Sequence, residues 1–370
     1  MRKKIAILTS SRADYSIYYP LIKRINEDIN LELNIIAFGS HFSEKHGNTF
    51  QNIINDGFDI ALRIDSEFNG DNPIDIANYI GNTILKFGPI WQSNTFDLAI
   101  CLGDRFEMFA AVASGVPFNV NFAHLYGGET TLGAIDNSLR HSISHFSKLH
   151  FTSCEAYKNR VVELIGDANN VYNIGALSYD NFNQIELPEK SEFLQSLGMD
   201  SNKEFILTTF HPETIDFEKN QEYIEELCKA IEKLNTYNFL ITMPNADTNS
   251  QIIRDTIDNL KKSNPHVYTS ENLGTVRYLA AIKHCALMLG NTSSGFVEAA
   301  YFPTKVVNLG NRQLGRILTP NIINSDINCD SILQSIAKAE SLNISKSDNI
   351  YGNGNAAEKA IGYIYQYLGI

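Results

Sequence analysis

KIAILTSSRADYSIYYPLIKRINEDINLELNIIAF, Lys4–Phe38, is the stretch on which the fold turns. Ile5–Thr9 and Leu31–Phe38 are short, nearly uninterrupted apolar runs, and Tyr15–Ile25 between them has helical spacing. Strands apolar on both faces and separated by helices indicate a parallel sheet covered on both sides. The unit repeats. Further strands are expected at Ile60–Ile64, Leu98–Leu102, Asn119–His124, Leu149–Thr152 and Val171–Ile174, with helical segments such as Ile76–Leu85 between them. The pattern loosens through ALSYDNFNQIELPEKSE after Gly175. It restarts with Phe205–Thr209, Phe239–Met243, Val267–Thr269, Ala286–Leu289 and Lys305–Leu309. The expectation is an α/β chain of two Rossmann-like doubly wound domains facing a central cleft, residues 1–180 and 181–355. A final amphipathic helix lies in 356–370, over Ala356–Leu368. At about 150 residues per domain the length of 370 residues agrees. In open α/β sheets ligands sit at the carboxyl ends of the strands, so polar residues just past each strand are the candidates.

Composition narrows the function. The chain has 30 Lys+Arg against 42 Asp+Glu, a formal net charge of −12. An acidic surface repels a polyanion, which argues against nucleic-acid binding but leaves room for one phosphorylated ligand held by a local cluster of donors. Five cysteines stand far apart without CxxC or Cys/His spacing, as reduced thiols in a reducing compartment do. The opening MRKKIAILTS has too short an apolar stretch for a signal peptide, and no run approaches about 18 apolar residues. A cytoplasmic protein with no membrane partner is expected. No spacing supports a metal site, and GxGxxG, GxxxxGK[ST] and GxSxG are all absent, so no cofactor is expected.

The strand ends carry the chemistry. TSSRADYS, Thr9–Ser16, places Arg12 for a phosphate or base contact, while Ser10, Ser11, Asp14 and Ser16 either cap the following helix or bind ligand. LGDRFEMF sets Asp104 and Arg105 at a turn, where Asp104 either moves protons or caps a helix. HLYGGETTLGAIDNSLRHS gathers His124, Tyr126, Glu129, Asp136, Arg140 and His141 around three glycines, a pattern suited to an active-site loop. TTFHPET leaves His211 at a strand end, to bind phosphate, shuttle a proton or rest satisfied in the core. MPNADTNS adds Asn245 and Asp247, the latter read as a helix cap. LGNTSSGFVEAA reads as a strand entering a helix through small residues, a phosphate cradle with Ser293 and Ser294 at the helix start and Glu298 a turn inside, placed for ribose hydroxyls. NLGNRQLGR supplies Arg312 and Arg316, to neutralise a diphosphate or to lie on a solvated face.

Together SRADYS, GDR, HLYGGE…D, FHPET, PNAD, GNTSSGxxE and NLGxRQxGR resemble the hydrolysing UDP-N-acetylglucosamine 2-epimerases of sialic-acid biosynthesis, above all the bacterial branch that includes relatives making legionaminic acid. The resemblance runs in order over nearly the whole chain. It implies a GT-B-like pair of Rossmann domains, the second holding the nucleotide, and a C-terminal helix returning to the first. It implies that Arg12, Ser16, Arg105, His211, Asn245, Ser293, Ser294, Glu298 and Arg312 bind the nucleotide sugar. Asp104, Glu129, Asp136 and His211 are the implied catalytic groups. Many relatives carry Glu where Tyr126 stands here, which leaves Glu129, Tyr126 itself or no group to replace that carboxylate. The implied reaction releases UDP and N-acetylmannosamine from UDP-N-acetylglucosamine by anti elimination and water addition. The same reaction on UDP- or GDP-2,4-diacetamido-2,4,6-trideoxyglucose is the alternative, and a GT-B glycosyltransferase a remoter one. A homo-oligomer, dimer or tetramer, is expected.

Overall fold

The computed structural model describes residues 2–43, 48–65, 73–130, 136–183, 185–213, 217–244, 250–345 and 349–370. The chain packs as two compact units. The first gathers Met1–Glu129, Asp136–Asn183 and Gly352–Ile370, and the second is built on Gln184–Tyr351.

The first unit holds β1 (Lys3–Thr9), β2 (Leu31–Phe38), β3 (Ile60–Ile64), β4 (Leu98–Leu102), β5 (Phe122–Leu125), β6 (Leu149–Thr152) and β7 (Val171–Asn173). They form one sheet in the order β3-β2-β1-β4-β5-β6-β7, with every pairing parallel. Alternation along each strand explains the continuous apolar runs. Ile5, Ile7, Leu98 and Ile100 enter the core on one face, while Ala6, Leu8, Ala99 and Cys101 enter the core on the other. A strand with no solvent face has no polar alternation to show.

The fifth strand begins later than its apolar run suggests. The helix Phe106–Gly115 continues into a 3-10 turn at Val116–Phe118, and Asn119 then takes a left-handed φ of 55° that ends it. The residue pairing with β4 begins at Phe122, opposite Ala99. The final helix, Ala356–Leu368, belongs to the first unit. Asp180 accepts its first free N–H groups, from Ala356 at 2.9 Å and Ala357 at 2.8 Å. Its Ala357, Ala360 and Ile364 complete the core beneath β1.

The second unit holds β8 (Phe205–Thr209), β9 (Asn238–Thr242), β10 (Val267–Ser270), β11 (Leu287–Gly290), β12 (Val306–Leu309) and β13 (Ile322–Ser325). Their order is β10-β9-β8-β11-β12-β13, again parallel throughout. β13 escapes the sequence reading because it is a short edge strand whose Ile323 and Asn324 are not buried. Both sheets are doubly wound. Strand order reverses between β1 and β4 in the first and between β8 and β11 in the second, and each reversal opens a crevice at the carboxyl ends.

Candidate active site

In the first unit the crevice is flanked by the turns after β1 and β4. The carboxylate of Asp14 accepts hydrogen bonds from Ser10 N at 2.9 Å, Ser10 Oγ at 2.6 Å and Ser11 Oγ at 2.7 Å. Ser11 Oγ accepts Asp14 N at 3.3 Å as the helix cap. Ser10, Ser11 and Asp14 are therefore spent on capping, which decides the choice that their residue types left open. Arg12 is exposed at the first helical position, and Ser16 is half-buried one turn further along the same helix.

The turn after β4 is pinned to β5. Gly103 N donates to Leu125 O at 3.0 Å, and His124 Nε2 lies 2.8 Å from Gly103 O. A carbonyl can only accept, so Nε2 carries the proton and Nδ1 accepts from Ser144 Oγ at 3.0 Å. Burial pushes the His124 pKa down to about 3, so the ring is a neutral strut. Beside it Asp104 meets the guanidinium of Arg140, which is 4% exposed. Arg140 Nε and Nη1 have no hydrogen-bond partner among the described residues. Arg105 is exposed, and its guanidinium is already engaged by the buried Glu107, through Nε at 3.2 Å and Nη2 at 2.9 Å. Any anion would have to share it.

The glycine loop is shaped by close packing. A Cβ on Gly128 would lie 2.2 Å from Tyr157 O, and one on Gly127 would lie 3.0 Å from Ser144 Oγ. Glu129 is buried and accepts from Ser153 Oγ at 3.2 Å. Tyr126 has a left-handed φ of 65°, and its hydroxyl accepts from Leu177 N at 2.9 Å. Asp136 opens the helix Asp136–Phe146 and is half-buried.

In the second unit β8 and β11 approach so closely that a Cβ on Gly290 would fall 1.9 Å from Thr209 O. Asn291 then ties the two strand ends together. Its side chain accepts from His211 N at 2.7 Å and donates to His211 O at 2.8 Å. His211 is buried, and burial together with the Arg312 charge lowers its pKa to about 3. It faces the site as a neutral imidazole, able to donate or accept but not carrying charge at neutral pH.

Past β11 the structure corrects one expectation. Ser293–Gly295 is a 3-10 turn, followed by a helix of only four residues, Glu298–Tyr301. No long helix starts here, so an added macrodipole does not act on a ligand. Ser293 is exposed, whereas Ser294 is buried and bonded to the Tyr278 hydroxyl and, at 3.1 Å, to Thr292 Oγ1. Glu298 is half-buried at the start of the short helix.

Arg312 lies in the loop after β12, and its Nη1 donates to Asn291 O at 3.3 Å. This brings Arg312 to the β8–β11 crevice with His211. The loop is held by the buried carboxylate of Glu213, whose Oε1 accepts Asn311 N at 3.2 Å and Arg312 N at 3.1 Å. Arg316 turns aside, its Nε donating to Gln313 Oε1 at 2.7 Å. Asn245 and Asp247 lie outside the described residues. Sequence reasoning missed Glu213, Asn291 and Tyr278 as organisers of this crevice. The first two stand inside the FHPET and GNTSSG motifs, but nothing local marks Tyr278.

The family model described as UDP-N-acetylglucosamine 2-epimerase matches residues 23–365. A GDP/UDP-N,N'-diacetylbacillosamine 2-epimerase (hydrolyzing) from Campylobacter jejuni is 35% identical over 92% of this chain and 88% of its own. The polysialic acid biosynthesis protein P7 of Escherichia coli is 33% identical over 99% of this chain and 94% of its own. In fold, the chain is similar to a UDP-GlcNAc 2-epimerase from Neisseria meningitidis solved with UDP-GlcNAc bound, with a TM-score of 0.83 and 16% identity over 98% of this chain and 100% of that one. With two parallel doubly wound sheets, the strand-end motifs in place and a family match across almost its whole length, the chain is an epimerase belonging to the UDP-N-acetylglucosamine 2-epimerase family.

Proposed function

We propose that this enzyme hydrolyses a nucleoside-diphosphate-linked 2-acetamido sugar with inversion at C2, and that the sugar is N,N'-diacetylbacillosamine. The observation that carries the reading is the 35% identity, over nearly the full length, to a relative named for hydrolysing that substrate. Free N-acetylmannosamine made from UDP-N-acetylglucosamine is the second reading, favoured by the 33% identity to a polysialic acid biosynthesis protein. The enzyme acts as a homo-oligomer in the cytoplasm.

The chemistry follows from the residue types. A carboxylate takes the C2 proton, the C2–H electron pair forms the C1=C2 bond, and the C1–O bond breaks with its electrons leaving on the diphosphate. The 2-acetamidoglycal then adds water, hydroxyl at C1 and a proton at C2, to give the inverted free sugar. Negative charge develops on the leaving diphosphate, and hydrogen-bond donors directed at it stabilise it. Arg12, Arg312, Ser293 and Ser294 supply them, with Arg105 sharing its guanidinium with Glu107. His211 contributes as a neutral donor, Asn245 and Ser16 help hold the nucleotide, and Glu298 accepts from the ribose hydroxyls. Asp104, backed by Arg140, is the base. Glu129 and Asp136 handle the remaining protons, general acid–base work worth about 10²–10⁴-fold in rate.

The test is a substrate panel in deuterated water: UDP- and GDP-N,N'-diacetylbacillosamine and UDP-N-acetylglucosamine, scored for free nucleotide, C2 configuration and label. The expected result is fastest release from the diacetamido substrate, with deuterium at C2. A product without deuterium rejects elimination, and faster turnover of UDP-N-acetylglucosamine moves the assignment to the second reading.

A further inference from the structure

Three hydroxyls meet just past β11. Tyr278, on the helix Gly274–His284, is hydrogen-bonded through its phenol to Ser294 Oγ, and Ser294 Oγ lies 3.1 Å from Thr292 Oγ1. Ser294 is 8% exposed and Thr292 is half-buried. Tyr278 comes from a separate element, so its hydroxyl reaches this turn only through the packing of the helix.

The hydroxyls are not what holds the turn. Thr292 precedes the turn Ser293–Gly295, where a threonine side chain ordinarily caps, yet it makes no capping bond. Backbone and packing suffice. Gly295 N donates to Thr292 O at 3.2 Å and Phe296 N to Ser293 O at 2.9 Å, and a Cβ on Gly295 would lie 3.0 Å from Val306. The side-chain oxygens are left to one another.

Counting protons gives the group a direction. Each hydroxyl carries one proton, and the two bonds among the three use two of them. A phenol is a better donor and a poorer acceptor than an aliphatic hydroxyl, and burial pushes the Tyr278 pKa up to about 12, so the phenol keeps its proton and gives it to Ser294. Thr209, a further hydroxyl neighbour of the phenol, is bonded to Thr242 Oγ1 at 2.5 Å. The surplus proton therefore falls on Ser294 or Thr292, and a hydroxyl that accepts one bond donates the next more strongly. An ionised phosphate oxygen only accepts, so it is the partner such a proton suits.

We propose that Tyr278 is a positioning residue for the diphosphate: its phenol fixes the direction of the Ser294–Thr292 pair, so that one hydroxyl proton is held out for a phosphate oxygen. This role rests on the proposed function, in which Ser294 serves the leaving diphosphate, and it brings Thr292 into the same group of donors.

The experiment measures binding of UDP, GDP and their nucleosides, by calorimetry and saturation-transfer NMR, to the wild type, Tyr278→Phe, Thr292→Val, Ser294→Ala and the double variant Tyr278→Phe/Ser294→Ala. Tyr278→Phe keeps the ring and should weaken the bound diphosphate by about three- to tenfold, the worth of one hydrogen bond, with the nucleoside unchanged. Thr292→Val, equal in shape, should do the same. In the Ser294→Ala background Tyr278→Phe should cost nothing further, because the path from the phenol is already cut, whereas a merely structural phenol would add its loss in full. Wild-type diphosphate affinity in Tyr278→Phe overturns the proposal, as do additive losses in the double variant or an equal loss for the nucleoside. If Ser294→Ala does not fold, the diphosphate-to-nucleoside ratio in Tyr278→Phe and Thr292→Val still decides. A wild type that binds neither diphosphate rejects the proposed function as well, while additive losses in an enzyme that binds one reject the role of Tyr278 alone.

Discussion

At the scale of single residues, the phenol oxygen of Tyr126 is occupied in accepting from Leu177 N. A group so engaged is a tie between the β5 turn and the segment after β7. Tyr126→Phe should therefore cost about 0.5–1.5 kcal/mol of stability in a denaturation experiment while turnover persists. Glu129→Gln keeps the shape and can still accept from Ser153, yet should lower kcat by about 10²-fold or more. If the two variants exchange these phenotypes, the phenol and not Glu129 moves the proton. Asp104 gains its own character from Arg140, a contact no local sequence pattern specifies because the partners are far apart in the chain and meet only through the packing of the helix Asp136–Phe146.

Elements set how finely those residues are held. The loop after β12 presents Arg312 because Glu213, from the segment after β8, accepts two of its backbone N–H groups. The strand ends beneath it meet because Gly290, at φ 148°, lets β11 lie against the Thr209 carbonyl. An alanine there meets backbone, which cannot give, so Gly290→Ala should unfold the second unit or lower its melting temperature sharply. Gly81 offers the opposite case. It lies inside the helix Pro73–Ser93, and an added Cβ would meet nothing within 4 Å. Gly81→Ala should stabilise by about 0.5–1 kcal/mol, since alanine loses less backbone freedom on folding into a helix. A melting series in which both substitutions behave alike would contradict the distinction drawn between close approach and open space.

Across the whole molecule, burial of neutral histidines makes stability depend on acid. Burial is the leading cause in each of four: His124 and His211 are lowered to about 3, His41 and His150 to about 4. In the unfolded chain each would titrate near about 6.5. A lowered folded value means the unfolded state takes up the proton first, so their contribution is complete above about 6.5. It is lost as pH falls from there toward the folded values, at about 1.4 kcal/mol per pH unit for each histidine. The melting temperature should therefore decline steeply between about pH 6 and 4. His124→Gln, whose amide can donate to Gly103 O, should reduce that slope by one proton. A flat profile over the interval would show that these rings are not held neutral.

The sequence by itself determined the doubly wound character of the chain, because strands buried on both faces must be apolar at successive positions, as Ile5–Leu8 and Leu98–Leu102 are. It also determined where to look, since functional groups cluster just past such strands. It misjudged the start of β5, where a left-handed Asn119 interrupts the apolar run, and it missed β13, whose solvent face removes the apolar signal. Only the tertiary structure decided which polar residues are scaffolding. Ser10, Ser11 and Asp14 close on one another, and Asn291 and Glu213 hold backbone. Serine, aspartate and arginine serve caps and ligands equally well, and what separates the two uses is whether a partner from a distant stretch of chain has already taken the polar atom.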